Sequence, residues 1–292
     1  MQDIERIRAF NRTVTRRLGV LNERYLGRDR PLVESRLLFE IGARGASVRD
    51  LRNRLGLDSG FSSRLLRALE RKKLLRTERA ASDGRVRTAH LTRSGLAELE
   101  RINALSEDLA RSMLASLSPD QARRLVAAMG EVDRLVRASS VEFAPTDVRG
   151  ADAQRCLQKY YAELTARFPG GFELDADNAP AADEFAPPGG CMLIAWLFGE
   201  AIGCGMMRTL EPGVGEIKRM WVSHDVRGLG VGRRLLAVLE GAAMERKLHT
   251  IRLDTNGSLA EALSLYRASG YREIPRYNDN PYAQHWFEKT LS

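Results

Sequence analysis

The chain has 292 residues, 43% of them hydrophobic and 29% charged, and a formal net charge of +8. Its length exceeds the roughly 100–200 residues of a usual single domain, so two domains are expected, and its composition is globular rather than disordered or fibrous. The longest apolar run, Cys191 to Phe198, is far shorter than the ~18 residues a membrane span needs.

Met1-Gln2-Asp3-Ile4-Glu5-Arg6 lacks the basic start and apolar core of a secretion signal. Cys156, Cys191 and Cys204 are odd in number and widely spaced, fitting neither a disulfide framework nor a zinc pattern. His90, His224, His249 and His285 share no metal or triad spacing. These features point to a reduced, cytoplasmic protein with no membrane partner and no metal. The charge is uneven: residues 1–145 hold 29 Lys/Arg against 19 Asp/Glu, and residues 146–292 hold 17 against 19. A basic half joined to a near-neutral half suggests a polyanion binder fused to something else.

In the first half, Ile4, Ile7, Phe10, Val14, Leu18, Leu21 and Tyr25 recur every three or four residues and predict one long helix. Pro31 opens a second, Leu32 to Ile41. Ser47 is placed to cap a third, with Asp50 favouring its positive end and Leu51 and Leu55 inward. After the turn Gly56-Leu57-Asp58-Ser59, a fourth helix runs from Ser59 to Lys72. Leu65, Leu66 and Leu69 form its inner face and Ser63, Arg64, Arg67 and Arg71 its outer face; Phe61 and Ser62 are ambiguous. Two short helices across a tight turn, the second basic, describe a helix-turn-helix or, more blandly, a solvated helix pair. Strands at 74–79 and 85–91 predict a hairpin wing, and Thr92-Arg93-Ser94-Gly95 starts a long helix. Ser118-Pro119-Asp120-Gln121 starts another, with Leu125, Val126, Met129, Val132, Leu135 and Val136 as its stripe.

Asp83, Gly84, Arg85, Leu91, Thr92 and Gly95, following a helix-turn-helix, resemble the winged-helix regulators of the MarR family over about residues 1–142. The resemblance implies a homodimer, paired through its terminal helices, on a palindromic site in double-stranded DNA. It places Ser59, Gly60, Ser63, Arg64 and Arg67 in the major groove, Arg85 in the minor groove and Arg87 on phosphate.

Phe143-Ala144-Pro145-Thr146-Asp147 breaks the helical pattern, so the expected domains are 1–145 and 146–292. A helix is expected from Gly150 to Phe168, then a long irregular loop from Leu174 to Gly190. Strands follow at 192–198, 201–210 and 216–222, the first two joined by a Gly199-Glu200 turn. After a helix at 235–246 come a strand at 249–255, a helix at 259–269 and a last strand at 282–291. Arg227-Gly228-Leu229-Gly230-Val231-Gly232 lies between a strand and a helix start. Unpaired amides, the helix dipole and bare glycine backbone together make an anion site there, to which Arg227 and Arg233 can add charge. The run is neither the dinucleotide fingerprint nor a P-loop.

That run, with Met220-Trp221-Val222 before it and Asp254-Thr255-Asn256 and Leu265-Tyr266-Arg267-Ala268-Ser269-Gly270-Tyr271 after it, resembles the GNAT N-acetyltransferases over about residues 147–292. The fold class expected is therefore a mainly α winged helix-turn-helix with long dimerisation helices, then an α/β GNAT fold with a mixed central sheet. Its first strand would lie near Glu173 or be mostly lost. The resemblance implies acetyl-CoA as cofactor, held by Arg227, Gly228, Leu229, Gly230, Val231, Gly232 and Arg233. Met220, Trp221 and Val222 would border the pantetheine, with Trp221 either core or pocket wall, and Asn256 would touch the pantetheine or a water. Tyr266 takes the position of the general acid, or else simply packs. Glu216 is the candidate base, or an ordinary strand-end charge. Tyr161, Phe168, Phe172 and 277–282 would line the acceptor pocket, where Asn278, Asn280, Arg219 or Arg252 could bind a polar substrate. Three functions stay open: a regulator that also acetylates a small-molecule amine, a regulator whose second half senses acyl-CoA, and an enzyme acting on small molecules or protein lysines.

Overall fold

The computed structural model describes residues 1–20, 25–28, 30–79, 87–173 and 181–291. It divides into two compact units, Met1–Gly130 and Glu131–Ser292.

In the first unit the helices are α1 (Gln2–Leu18), α2 (Leu32–Ile41), α3 (Val48–Leu55) and α4 (Ser59–Arg71). Ser47 caps α3 by accepting from the Asp50 N–H at 3.1 Å, and Asp58 caps α4 through the Phe61 N–H at 2.8 Å. Leu37, Leu38, Leu51, Leu66 and Leu69 close one core between them. Besides β2 (Leu75–Arg79) and β3 (Arg87–Leu91), a two-residue strand escapes the sequence reading: Ala46–Ser47 pairs with β3 and is β1, giving the order β1-β3-β2. Asp83, Gly84 and Arg85 of the expected wing tip lie outside the described residues, as do 21–24 of the first apolar stripe. The Leu-Thr-x-x-Gly signature has a packing cause. Thr92 Oγ1 accepts from the Gly95 N–H at 3.1 Å, capping α5 (Arg93–Leu114), and donates to the Lys73 carbonyl at 2.7 Å. A Cβ on Gly95 would stand 1.9 Å from the Leu74 carbonyl oxygen, so only glycine fits. α6 (Pro119–Ser139) opens with the expected reciprocal cap between Ser118 and Gln121.

The expected linker at 143–147 is instead a strand. β4 (Val141–Thr146) pairs with β5 (Gly190–Leu197), Phe143 opposite Ala195, and is the first strand of the second sheet, which therefore does not begin near Glu173. β4 is an edge strand, where Pro145 can be tolerated despite lacking an N–H. The unit boundary accordingly falls earlier than residue 145. α7 (Ala151–Arg167) follows; of the expected loop, 174–180 lies outside the described residues and Ala182–Phe185 is a 3₁₀ turn. β5 and β6 (Glu200–Glu211) are joined through Phe198 and Gly199, at φ 49° and 75°, a two-residue turn one position earlier than expected. β7 (Val214–Val222), α8 (Val231–Glu245), β8 (Thr250–Thr255), α9 (Ala260–Ala268), β9 (Arg272–Ile274), a short strand not expected above, and β10 (His285–Thr290) complete the unit.

The sheet order is β4-β5-β6-β7-β8-β10-β9, mixed because β7 and β8 are parallel with α8 crossing between them. Both faces are covered. Cys191 and Leu193 face Leu235, Leu236, Leu239 and Phe287, while Met192 and Ile194 face Cys156, Leu157 and Trp221. The longest apolar run in the chain is thus a strand buried on both sides.

One irregularity opens this sheet. Between Lys218 and Trp221, β7 carries one residue more than β6, and Arg219 there has φ 51°. β7 pairs with β8 only as far as Ile217 opposite Leu253. Beyond the bulge the two parallel strands part, leaving one edge of 218–222 unpaired by β8.

Candidate active site

The parted strands open onto a cavity of about 570 Å³. Its walls are Tyr160, Glu163, Leu164 and Arg167 from α7, Met220, Trp221 and Val222 from β7, and Leu259, Glu261, Ala262 and Leu265 at α9. At the loop end it is lined by Val226, Arg227, Gly228 and Gly230–Arg233.

The loop end fits a phosphate. Gly230, at φ 73°, is the N-cap of α8 and supplies no side-chain cap. The first N–H of α8 to find a helical partner is that of Arg234, on the Gly230 carbonyl at 3.1 Å. The amides of Val231, Gly232 and Arg233 are therefore orphan donors at the positive end of a helix dipole. A Cβ at Gly228 or Gly230 would meet nothing within 4 Å, so the bare backbone faces open space. Arg233 lines the cavity and makes no ion pair among the described residues.

Arg227 lines the cavity and is held by a carboxylate. Its Nη2 donates to both oxygens of Glu163, at 2.6 and 2.8 Å, and its Nε to the Val222 carbonyl at 3.2 Å. Glu163 also accepts from Trp221 Nε1 at 2.8 Å and from Arg167 at 3.1 Å. Burial would raise the Glu163 carboxyl, but the hydrogen bonds from Arg227, Trp221 and Arg167 outweigh it and hold the group below the ordinary glutamate range. Trp221 is both core and cavity wall.

Leu229, Asn256, Tyr266 and Glu216 do not line the cavity. Leu229 packs near Val226 and Val231. Asn256 donates to the Tyr282 carbonyl at 2.7 Å and accepts from the Ser258 N–H at 2.9 Å, so it fixes its own loop. The Tyr266 ring packs 5.9 Å from Tyr271 and 6.0 Å from Phe287, and its hydroxyl has no hydrogen-bond partner among the described residues. Burial, aided by Asp254, pushes its phenol well above the ordinary tyrosine range.

Glu216 is wholly buried at the centre of a polar knot. It pairs with Arg208 at 2.7 Å and Lys218 at 3.1 Å, and accepts from the Tyr277 hydroxyl at 3.0 Å. Lys218 also meets Asp254 at 2.6 Å. Asn278 and Asn280, expected to be substrate ligands, are committed to Asp254 at 2.6 and 2.7 Å. Arg252, another expected ligand, is paired with Glu211 and Glu288. Tyr161, Phe168, Phe172 and Tyr282 form one aromatic cluster, with ring centroids 4.8–6.2 Å apart, outside the cavity lining. Arg219 Nε donates to the Tyr161 hydroxyl at 2.9 Å. Sequence reasoning misses Tyr160, Glu163, Lys218 and Asp254. Only the i, i+3, i+4, i+7 spacing of Tyr160, Glu163, Leu164 and Arg167, which puts them on one helix face, could have grouped the α7 residues.

In the first unit, Ser59, Gly60, Arg64 and Arg67 are exposed on α4, with Ser63 half-buried beside them. Phe61 faces outward, its ring 5.9 Å from the Arg64 guanidinium, and Ser62 faces the core. Arg87, on β3, is exposed and donates to Thr77 Oγ1 at 2.7 Å.

A mixed sheet whose parallel pair splays beside a glycine-rich helix start defines an acyl-CoA-type transferase fold. The family model described as "Acetyltransferase (GNAT) family" matches residues 157–271, and that described as "MarR family" matches 28–86. The IAA acetyltransferase of Azospirillum brasilense is 37% identical over 129 residues, covering 44% of this chain and 84% of that protein. An uncharacterised N-acetyltransferase of Schizosaccharomyces pombe is 33% identical over 132 residues, covering 44% and 77%. A solved GNAT acetyltransferase from Staphylococcus aureus is 18% identical, with a TM-score of 0.46 over 52% of this chain and 99% of that one. The chain belongs to the GNAT acetyltransferase family and carries a MarR-family domain ahead of the acetyltransferase domain. No helix among the described residues is long and apolar enough to cross a membrane.

Proposed function

We propose that the second unit transfers an acetyl group from acetyl-CoA to the amine of a small molecule by direct attack in a ternary complex, and that the same chain binds a palindromic operator as a homodimer. The observation that carries the first part is the cavity itself, running from three orphan amides at Val231–Arg233 to the splay at Met220 and Val222. The amides of α8 and the Arg233 side chain would hold the pyrophosphate. The bare edge of β7 would pair with the pantetheine arm, and a backbone N–H near Val222 would polarise the thioester carbonyl. The cofactor supplies an acetyl group activated as a thioester. The family resemblance gives the protonation of the departing thiolate to Tyr266, which lies outside the cavity lining. Glu216 is fully engaged, so its proposed role is to hold Lys218 and the 277–280 loop at the acceptor end; the amine reaches the site neutral or sheds its proton to solvent. The four-ring aromatic cluster, taken as the acceptor wall, would favour an acceptor with an apolar body.

For the first unit, the exposed α4 face with Arg64 and Arg67 supports groove recognition, with Ser59, Gly60 and Ser63 beside them; by the MarR resemblance Arg87 would meet phosphate and Arg85 the minor groove. Apolar side chains left exposed on α1 (Ile4, Ile7, Phe10) and on α6 (Val126, Met129, Leu135, Val136) support pairing with a second copy.

Thiol release from acetyl-CoA by the purified chain, across a panel of small amines and amino acids, tests the enzymatic half. Turnover with one acceptor is expected. Acetyl-CoA binding without turnover on any acceptor, together with an operator affinity that acetyl-CoA changes, would replace the enzyme with a sensor.

A further inference from the structure

Among the described residues Tyr160 is the one phenol in the cavity wall, and neither cofactor binding nor the acceptor wall gives it a task. It lies on α7 one turn before Glu163 and Leu164, so the same helix face that forms the cavity wall presents it. Its ring lies 5.3 Å from that of Tyr161, tilted by 53°. Its hydroxyl has no hydrogen-bond partner among the described residues, whereas its neighbour's hydroxyl is bonded to Arg219. It shares the cavity with Met220, at the start of the splay, and with Leu265, the residue before Tyr266. Burial raises its phenol well above the ordinary tyrosine range. Arg219 opposes that shift, and Tyr266, Tyr161 and Asp254 add to it. The hydroxyl therefore stays protonated through neutral and mildly alkaline pH. A phenol without a protein partner in a cavity wall leaves its O–H for water or for a ligand atom, and a ligand that displaces the water must take the donor or leave it unsatisfied at a cost.

We propose that Tyr160, and not Tyr266, is the catalytic residue that donates its proton to the departing sulfur. This deepens the acetyl-transfer reading and rests on it. In the step, the amine lone pair forms the C–N bond at the thioester carbonyl carbon. The C–S bond breaks, its electron pair passes to sulfur, and the sulfur takes the Tyr160 proton. The phenolate recovers the proton that the amine nitrogen gives up, so amine and thioester become amide and thiol with charge balanced. Tyr160 gives its proton from α7, and Tyr266 packs on α9 against Tyr271 and Phe287. This division fits their places in the fold, since Tyr160 lines the cavity and Tyr266 lies behind its wall.

The test uses the full chain with bound CoA and needs no acceptor. The thiol of enzyme-bound CoA is titrated by its thiolate absorbance in the far ultraviolet in the wild type, Tyr160→Phe and Tyr266→Phe. A phenol donating to sulfur stabilises the thiolate, so the bound thiol should titrate below free CoA in the wild type. Tyr160→Phe should move it up by about one pH unit. With an accepted amine, Tyr160→Phe should lower kcat at least about tenfold while KM for acetyl-CoA stays within about twofold. A wild type that binds CoA without depressing its thiol, or a Tyr160→Phe titration that overlays the wild type, overturns the role. Absence of CoA binding to the wild type overturns the acetyl-transfer reading as well, which separates the two failures.

Discussion

Replacing Glu216 with Gln removes one charge from a fully buried, multiply paired carboxylate. Arg208, Lys218 and Tyr277 all converge on that carboxylate at 2.7–3.1 Å. Breaking a buried ion pair by removing one partner costs about 3–5 kcal/mol. Here each cation keeps a second carboxylate, Arg208 with Glu184 and Lys218 with Asp254, so the expected loss is nearer ~2–3 kcal/mol. In a domain of this size that lowers Tm by roughly 4–12 °C. Scanning calorimetry of the full chain reads it in the transition that acetyl-CoA raises. The same variant separates two roles in catalysis. If Glu216 holds the acceptor end together, Glu216→Gln weakens kcat/KM but keeps the rise of rate with pH. A variant that melts like the wild type and loses the alkaline rise would refute the scaffolding role and restore Glu216 as the direct base.

The remaining predictions reach both units. Gly95→Ala should destabilise the first unit by about 3 kcal/mol or more, because its Cβ would stand 1.9 Å from the Leu74 carbonyl oxygen; an unchanged melting profile would contradict the packing. Arg67→Ala should weaken operator binding by about 1–3 kcal/mol, and wild-type binding should fall steeply as salt rises; equal affinity, or a flat salt response in a gel-shift titration, would remove α4 from the DNA surface. The Glu163 carboxyl is depressed in the folded protein, so its stabilisation is complete above the unfolded value of about 4.3 and is lost as pH falls through the lower folded value. Glu163→Gln should therefore flatten that acid limb in a pH series of thermal melts, and an acid limb identical to wild type would exclude the Arg227–Glu163–Trp221 arrangement.

Local rules make much of the fold legible in the sequence. Ser47, Ser118 and the Thr92 segment announce helix starts because caps are chosen by one side chain and a nearby N–H; Ser47 and Ser118 cap as read, and Thr92 proves to be the cap of its helix. The glycine loop is legible for the same reason. What fails to show is long-range. Val141–Thr146 reads as a break because Pro145 is a poor strand residue, and only its edge position beside β5 makes it a strand. Asn278 and Asn280 look like free ligands until β8 brings Asp254 against them. The pairing of Arg227 with Glu163 leaves no sign in the sequence, because α7 presents the carboxylate from 64 residues away. Tyr160 is one apolar-face residue among many in sequence, and its place in the cavity depends on how α7 packs over the β7 bulge. Charge partners chosen across tens of residues leave no periodic trace, whereas caps and turns do.

The central claim is that the cavity between the Val231–Arg233 amides and the β7 splay holds acetyl-CoA. Isothermal calorimetry of the wild type and Gly230→Glu tests it most directly. Gly230 is at φ 73° with open space where a Cβ would project, so a glutamate there places bulk and negative charge at the phosphate cradle. Saturable binding to the wild type is expected, with affinity at least about a hundredfold weaker, ~3 kcal/mol, in the variant. Equal heats from both proteins would place the cofactor elsewhere and contradict the claim.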